Sequence, residues 1–291
     1  MPYQDTRTIL RQQGLAPKKK LGQNFLVHRH TAERIVGAAG VRPDDTIIEV
    51  GVGLGALTVP LAEAADRVIG LEADSGIVRM HEQRGDLPAN VRLVHADILK
   101  VDLAELVTRA GGRLRIIANL PYSISTPFIF RLIDHCGLME SAVVMLQKEV
   151  ARRLLAKPGT KEYGVPGVLL ASCAATEPLL EIGPAEFHPR PKVDSMVVRI
   201  TFDPPPQRVV RLGAFDRGLL RRIVSGAFGQ RRKTLLNALA ATGLVTDREQ
   251  LAACIGRAGI APAIRAERLE IEDFVSLCRS IGTAMETGRC A

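Results

Sequence analysis

A glycine-rich turn follows an apolar run near the start of the chain. The run Thr46–Val50 leads into Gly51–Gly55, which reads Gly-Val-Gly-Leu-Gly, and Glu72 ends the next such run. Glycines let a backbone turn sharply and let a ligand approach it closely. An acid at the end of the second strand of such a fold accepts hydrogen bonds from ribose hydroxyls. Gly51, Gly53 and Glu72 together predict a nucleoside site, whereas the glycines alone would indicate only a tight turn.

The glycine spacing distinguishes between nucleoside cofactors. The dinucleotide fingerprint is Gly-x-Gly-x-x-Gly, and here the third glycine, Gly55, comes one position early. This disfavours a pyrophosphate, and with it a nicotinamide-dependent oxidoreductase. It suits S-adenosyl-L-methionine, which has no phosphate, and Glu49 matches the acidic start of the loop in enzymes that bind it. Asp97, after the third predicted strand, is a candidate acceptor for the adenine amino group, although alone it would indicate a helix N-cap.

A second motif, Asn119-Leu120-Pro121-Tyr122, directly follows the fourth predicted strand. The exocyclic amine of adenine is a poor nucleophile because its lone pair is delocalised into the ring, so an enzyme that methylates it must position it. The Asn119 side-chain oxygen and the Leu120 carbonyl can accept the two amine hydrogens. Pro121 favours an extended Leu120, and Tyr122 can stack on the base. In isolation, Asn-x-Pro would indicate an ordinary turn.

These residues need a sheet to position them. Between residues 46 and 147, short apolar runs alternate with helical periodicity, which predicts an α/β fold with a doubly wound, Rossmann-like sheet. The predicted parallel strands are 46–50, 67–72, 91–95, 115–118 and 142–146, with helices at 57–65 and 127–135. Two more strands, Leu179–Gly183 and Ser195–Phe202, are expected to pair antiparallel at one edge, because no helix separates them.

The prolines at 204–206 mark the clearest linker, because consecutive prolines cannot continue a helix or a central strand. Beyond them the pattern is helical, at 215–228, 233–241, 247–255 and 271–281. We therefore expect three parts: a basic N-terminal arm at 1–26, an S-adenosylmethionine-binding domain at 27–203 and a small all-α domain at 204–291.

Positive charge is concentrated at the two ends of the chain. The net charge is +8, divided as +4 in residues 1–26, −2 in 27–203 and +6 in 204–291. Basic ends beside a near-neutral centre indicate a polyanionic partner, with solubility as the simpler explanation. The candidate RNA-binding residues are Lys18, Lys19, Lys20, Arg221, Arg222, Arg231, Arg232 and Lys233.

Composition excludes several classes of protein. Apolar residues make up 46% and charged residues 24%, which argues against disorder. No apolar run approaches the roughly 18 residues of a membrane span, and the first residues do not resemble a secretory signal. Five cysteines without a Cys-x-x-Cys pair argue against a disulfide framework and a metal site, and favour a reducing, cytoplasmic location.

In combination, these motifs resemble those of the ribosomal RNA adenine dimethylases, specifically the bacterial small-subunit class. The resemblance is carried by 21–26, 49–55, 119–122, 147–153, 187–195, 227–228, 231–235 and 265–267. It implies that Asn24, Leu26, Gly51, Glu72, Asp97 and Asn119 bind S-adenosyl-L-methionine. It also implies that Phe187 stacks on the target adenine opposite Tyr122, although Phe187 alone would indicate a core residue.

The resemblance further implies dimethylation of two adjacent adenosines in a hairpin near the 3′ end of 16S rRNA, within a small ribosomal subunit precursor. The related macrolide-resistance methylases act on large-subunit RNA, and the basic helical tail favours the small-subunit class. The alternative is an RNA- or DNA-binding assembly or transcription factor with a methylase fold and no catalysis. An intact glycine loop and intact 119–122 motif speak against that alternative. We expect a monomer without metal.

Overall fold

The computed structural model describes residues 22–287, except for the side chain of Thr287. The chain forms two compact units. The sheet unit comprises the described residues up to Ala151 together with Thr176–Pro204, and the helical unit comprises Arg152–Ala175 together with the residues from Pro205 onward. Residues 152–175, expected in the cofactor-binding domain, thus group with the C-terminal helices. The functional limits of the domains stay a prediction.

A seven-stranded sheet forms the centre of the sheet unit, in the order β4-β3-β2-β5-β6-β9-β7. Its strands are β2 (Thr46–Val50), β3 (Arg67–Glu72), β4 (Val91–His95), β5 (Leu114–Asn119), β6 (Met139–Gln147), β7 (Ala175–Ile182) and β9 (Ser195–Thr201). The five strands from β4 to β6 are parallel, and β9 runs antiparallel to β6. The predicted α/β fold with a Rossmann-like sheet is confirmed.

The direction of winding reverses at the centre of this sheet. From β2 the chain proceeds outward to β3 and β4, then returns to form β5 on the other side of β2. In open α/β sheets a crevice opens beyond the carboxyl ends of the strands at such a reversal, and ligands bind there. The segments that follow β2 and β5 are the glycine loop and the 119–122 motif, so this topology brings the two motifs together.

The two edge strands follow the prediction in position but not in length, and their antiparallel pairing stays a prediction. β7 and β9 are neighbours at the end of the sheet, and β7 starts four residues before the predicted Leu179. Pro178 lies inside this strand, which is tolerated because an edge strand has backbone groups that need no ladder partner.

A second, two-stranded sheet joins β1 (Phe25–Leu26) to β8 (Phe187–His188). The strands are antiparallel, with Leu26 opposite Phe187. Glu186 reinforces the connection, because its carboxylate accepts hydrogen bonds from the Thr31 hydroxyl at 2.6 Å and from His28 Nδ1 at 2.8 Å. These contacts hold the segment that carries Asn24 and Leu26 against the rest of the sheet unit.

Five helices connect the strands of the sheet unit. They are α1 (Arg29–Ala39), α2 (Thr58–Ala64), α3 (Ser75–Arg84), α4 (Leu103–Ala110) and α5 (Ser125–Asp134). Ile35 of α1 and Leu61 of α2 pack with sheet residues such as Ile47 and Ile117 in one buried cluster. Asp74 begins α3 by accepting a hydrogen bond from Gly76 N at 2.9 Å, and Gly85 ends it in the left-handed conformation.

The remaining helices are α6 (Lys148–Leu155), α7 (Val165–Ala171), α8 (Gln207–Leu212), α9 (Arg217–Gly229), α10 (Leu235–Ala240), α11 (Arg248–Arg257) and α12 (Ile271–Thr287). All but α6, which passes from one unit to the other, belong wholly to the helical unit. Phe228 packs edge-on against Tyr163 and lies 6.0 Å from Phe274, and the Tyr163 hydroxyl donates to Leu269 O at 2.9 Å. Among the described residues, no helix has the length and apolar character of a membrane span.

Gly70 in β3 allows the chain beyond β2 to approach closely. A Cβ atom at Gly70 would stand 2.5 Å from Val52 Cγ2, which no relaxed structure tolerates. We predict that Gly70→Ala lowers the free energy of unfolding by about 1–3 kcal/mol in urea denaturation, because the added methyl overpacks the interior. Val52→Ala in the same chain should restore most of this loss.

Gly37→Ala is the matched control, because its Cβ would meet nothing within 4 Å. This substitution should be neutral or should stabilise helix α1 by about 0.5–1 kcal/mol. A Gly70→Ala variant as stable as the parent protein would contradict the role of this close contact.

Candidate active site

A cavity of about 330 Å³ opens at the carboxyl ends of the central strands, within the sheet unit. This volume falls in the ~300–1,000 Å³ range of small-molecule sites. The predicted site residues that line it are Asn24, Leu26, Gly51, Gly53, Glu72, Asp97, Asn119 and Pro121. The sequence motifs therefore converge on one cavity although they are spread over about a hundred residues.

The glycine loop forms one wall of this cavity. Gly51, Gly53 and Gly55 have φ angles of 81°, 54° and 82°, in the left-handed region that favours glycine. A Cβ at Gly51 would lie 3.4 Å from the Asn119 carbonyl oxygen, and one at Gly53 would lie 3.2 Å from the Phe25 ring. The loop therefore requires glycine both for its conformation and for its close contacts.

Glu72 ends β3 with a carboxylate that is already partly engaged. Its Oε2 accepts from Gly53 N at 2.9 Å and its Oε1 accepts from Asp74 N at 2.8 Å. Burial raises the pKa of Glu72, and these backbone hydrogen bonds oppose the rise. Because each carboxylate oxygen has two lone pairs, the group can still accept hydrogen bonds from two further hydroxyls.

Glu49 is the most unusual group in the cavity wall. Its side chain is fully buried, and neither carboxyl oxygen has a hydrogen-bond partner within residues 22–287. Burial raises the pKa of Glu49 from 4.5 to about 8; the neighbouring Thr58 hydroxyl partly offsets this without forming a hydrogen bond of normal geometry. A buried carboxyl without partners is costly, and a cationic ligand group would satisfy it. The cavity thus fits a cofactor that carries a positive charge.

Asn119 lines the cavity with a carboxamide side chain. Its Nδ2 donates to the Asn24 carbonyl at 3.3 Å. A carbonyl can only accept, so this contact identifies the amide nitrogen and leaves Oδ1 as the other end of the group. That oxygen accepts no hydrogen bond from another described residue. The arrangement is the one required of an acceptor for a ligand amine.

In the rest of the 119–122 motif, Pro121 restricts the backbone and a hydrogen bond restrains the Tyr122 ring. Pro121 has φ −53° and ψ 133°, and a short 3₁₀ turn, Tyr122–Ile124, follows. Leu120 is buried, and the binding role of its backbone carbonyl stays a prediction. Tyr122 is half-buried, and its hydroxyl lies 2.9 Å from Ser195 Oγ. Neither Leu120 nor Tyr122 lines the cavity itself.

Phe187 lies in the core rather than in the cavity wall. It is 3% exposed and belongs to a buried cluster with Leu26, Ile182 and Val197. Pairing of β8 with β1 places it opposite Leu26, which does line the cavity. Its stacking on a target base stays a prediction that requires the side chain to become accessible.

Asp97 lines the cavity and also organises its own turn. Its Oδ1 accepts from Leu99 N at 2.9 Å, and its Oδ2 lies 3.8 Å from Lys100 Nζ. Asp97 thus caps a turn and not a helix, because the N-cap of α4 is Asp102. A carboxylate has four lone-pair positions, so the ligand role stays a prediction that this turn permits.

The predicted RNA-binding residues fall into three groups. Lys18–Lys20 lie outside the described residues. Arg221 and Arg222 are on α9, and the exposed run 231–233 forms the turn between α9 and α10. Arg231 already has backbone partners, because its Nη2 donates to Lys161 O at 2.7 Å and to Tyr163 O at 3.0 Å. Arg231 therefore also stabilises the helical unit through these hydrogen bonds.

Sequence reasoning did not single out His81 or Gln23. His81, in the last turn of α3, donates to the glycine loop from behind, at 2.8 Å from Gly53 O. Gln23 Nε2 donates to Asp74 Oδ2 at 3.1 Å and lines the cavity. Gln23 lies within the 21–26 segment that carries the family resemblance, whereas His81 has no local signal. A buried histidine at helical spacing is indistinguishable from a core residue until the fold brings it to the loop.

Comparison with known proteins identifies the family to which this chain is similar. The family model described as ribosomal RNA adenine dimethylase matches residues 14–282. The chain is 52% identical over 283 residues to a protein named ribosomal RNA small subunit methyltransferase A from Desulfotalea psychrophila, covering 94% of this chain and 95% of the relative. The protein of the same name from Geobacter metallireducens is 43% identical over 273 residues, covering 94% and 98%.

Solved structures agree on the fold. A dimethyladenosine transferase from Plasmodium falciparum superposes with a TM-score of 0.71 at 24% identity, covering 89% of this chain and 98% of the other. The 23S rRNA methyltransferase ErmE gives a TM-score of 0.62 at 23% identity, covering 89% and 99%. At these identities the structures establish the architecture, and the sequence matches establish the family. This chain belongs to the ribosomal RNA adenine dimethylase family.

Proposed function

We propose that the protein transfers methyl groups from S-adenosyl-L-methionine to the N6 amines of two adjacent adenosines in the 3′-terminal hairpin of 16S rRNA. The observation that carries this proposal is the Asn119 carboxamide at the cavity wall, whose nitrogen is bonded to Asn24 and whose oxygen is left to accept. Family membership, together with two relatives named for the small subunit, supports this RNA as the substrate.

The cofactor supplies a methyl group bound to a sulfonium sulfur. The chain's own residues would hold it through three acids: Glu72 accepting from the ribose hydroxyls, Asp97 from the adenine amino group, and Glu49 facing the ammonium group. The glycine loop would let the cofactor approach the backbone, with apolar residues such as Ile77 and Leu57 in the walls around it.

Hydrogen-bond acceptors position the amine of the target adenine, and the reaction needs no general base. Asn119 Oδ1 and the Leu120 carbonyl take the two amine hydrogens and favour the pyramidal nitrogen whose lone pair can attack. Tyr122 offers its ring for stacking, steadied by the hydrogen bond to Ser195. The proton leaves to water after transfer. Alignment of bound reactants can lower a barrier by roughly 7–11 kcal/mol, so positioning alone supplies much of the rate.

Basic residues bind the RNA backbone, and the sheet unit carries out the methyl transfer. Phosphate contacts position a substrate without reading its sequence. The target base must leave its stack, which costs a few kcal/mol and is easiest in a hairpin loop. We infer a monomer that works in the cytoplasm on small-subunit precursors.

The decisive experiment maps which nucleotides gain methyl groups when the protein is added to small subunits from cells that lack this modification. Binding without transfer would favour the assembly or transcription factor instead.

Asn119→Ala removes the proposed amine acceptor. We expect methyl transfer to fall at least about 100- to 1,000-fold at saturating substrates, by analogy with loss of one preorganised group in an active site. RNA affinity, measured by filter binding, should stay within about twofold because phosphate contacts dominate it. Asn237→Ala, which alters an exposed asparagine of the helical unit, is the control. Near-normal turnover in Asn119→Ala would exclude the acceptor role.

The pKa of Glu49 predicts a pH-dependent affinity for the cofactor product S-adenosylhomocysteine, which keeps the ammonium group. The ligand cation requires an ionised carboxylate, and a pKa of about 8 means that Glu49 must lose a proton to bind it. The association constant should therefore rise by up to about tenfold per pH unit between pH 6.0 and 7.5 in titration calorimetry. Glu49→Gln should bind more weakly with a flat profile. A flat profile in the parent protein would contradict this assignment.

Removing the positive charges of Arg232 and Lys233, in the turn between α9 and α10, should weaken RNA binding to a similar extent for every RNA sequence. For Arg232→Ala/Lys233→Ala we expect the slope of log affinity against log salt to become shallower by up to about two, because two phosphate contacts are lost. Arg109→Ala is the control, since this α4 residue is paired with Glu105. An unchanged salt slope in the double variant would remove these residues from the RNA interface.

A further inference from the structure

A buried histidine contacts the glycine loop from the side away from the cavity. His81 is 3% exposed, and it is not among the residues that line the cavity. Its Nε2 lies 2.8 Å from Gly53 O, and its Nδ1 lies 2.7 Å from Asp86 Oδ1. The left-handed Gly85 at the end of α3 turns the chain back so that Asp86 faces His81 across the last helical turn.

The partners of the ring decide which of its atoms donate. A peptide carbonyl only accepts, so His81 Nε2 carries a hydrogen. Asp86 contacts the other ring nitrogen, Nδ1, and is itself paired through Oδ2 with Arg84 Nε at 2.6 Å. Arg84, Asp86 and His81 thus form a connected chain of side chains that ends on the glycine loop.

Gly53 is held on both sides by this arrangement. Its N–H donates to Glu72 Oε2 at 2.9 Å, and its carbonyl accepts from His81. These two groups belong to the two peptide units that flank the Gly53 Cα, where φ is 54°. Their orientations determine the path of the loop, and Glu72 is also the proposed acceptor for the ribose. A change in the Gly53–Leu54 peptide would therefore shift both the loop and the acid that it contacts.

We propose that His81 is a positioning residue of the cofactor site: through its hydrogen bond to the Gly53 carbonyl, oriented by Asp86, it holds the glycine loop in the conformation that binds the nucleoside cofactor. It does not touch the ligand. The inference rests on the proposed function for the identity of the ligand, and on hydrogen bonds within the sheet unit for the mechanism.

The test compares two replacements at this position. His81→Gln retains a side-chain N–H donor of similar reach, whereas His81→Leu retains bulk without a donor. For His81→Leu we expect affinity for S-adenosylhomocysteine in titration calorimetry to fall about 10- to 100-fold, the range for leaving a buried carbonyl without its hydrogen-bond donor. His81→Gln should stay within about threefold of the parent protein. RNA affinity and turnover at saturating cofactor should be unchanged, so the loss appears in KM for the cofactor and not in kcat.

A ligand-free measurement separates this inference from the proposed function. Amide hydrogen exchange at Gly53 and Leu54 should accelerate in His81→Leu but not in His81→Gln. Nitrogen-15 spectra of the parent protein should show a hydrogen on Nε2 of His81. His135→Leu, at an exposed histidine of the same unit, is the matched control and should change neither measurement.

Each outcome decides one question. If the parent protein binds S-adenosylhomocysteine and both His81 variants bind it equally well, His81 is not a positioning residue and the proposed function stands. If His81→Gln binds as poorly as His81→Leu, the donor role is wrong. If the parent protein binds no such ligand, the proposed function fails, and the exchange data still decide whether His81 holds the loop. Should His81→Leu fail to fold, Asp86→Asn replaces it and should weaken the affinity several-fold by releasing the ring.

Discussion

The whole site depends on one topological constraint, the reversal of winding between β2 and β5 at the centre of a parallel sheet. Parallel strands end at the same edge, and where the connections diverge to opposite sides no crossover covers that edge. The glycine loop after β2 and the Asn119 motif after β5 therefore share one crevice. Glu72 and Asp97 reach it because β3 and β4 run in the same direction as β2.

Within that crevice, binding capacity comes from polar groups that the protein leaves incompletely satisfied. Among residues 22–287, neither oxygen of Glu49 has a hydrogen-bond partner, and the Asn119 side-chain oxygen accepts no hydrogen bond. Burying such groups costs free energy, which the fold tolerates because a large apolar sheet core surrounds them. A ligand with complementary charge or donors lowers this cost, so under the proposed function these groups would contribute both affinity and selectivity.

Glycine allows the loop many backbone conformations, and hydrogen bonds from the surrounding residues restrict it to one. Three left-handed residues give the backbone its path but leave it with many alternatives in isolation. Glu72 and His81 remove those alternatives by engaging the N–H and the carbonyl of Gly53. The same Glu72 carboxylate faces the cavity, so the loop conformation and the position of the acid are mutually dependent.

The sequence by itself determined the α/β class, the strand order along the chain, and six of the residues that line the cavity, namely Gly51, Gly53, Glu72, Asp97, Asn119 and Pro121. These features depend on local periodicity, glycine and proline geometry, and the rule that strand ends carry ligand contacts. Tertiary structure alone decided that residues 152–175 pack with the C-terminal helices and that Phe187 pairs with Leu26 in a small sheet. It alone showed that His81 and Asp86 support Gly53. The physical reason is that such contacts join segments distant along the chain, or depend on which side of a helix meets a loop, and neither leaves a periodic trace in the sequence.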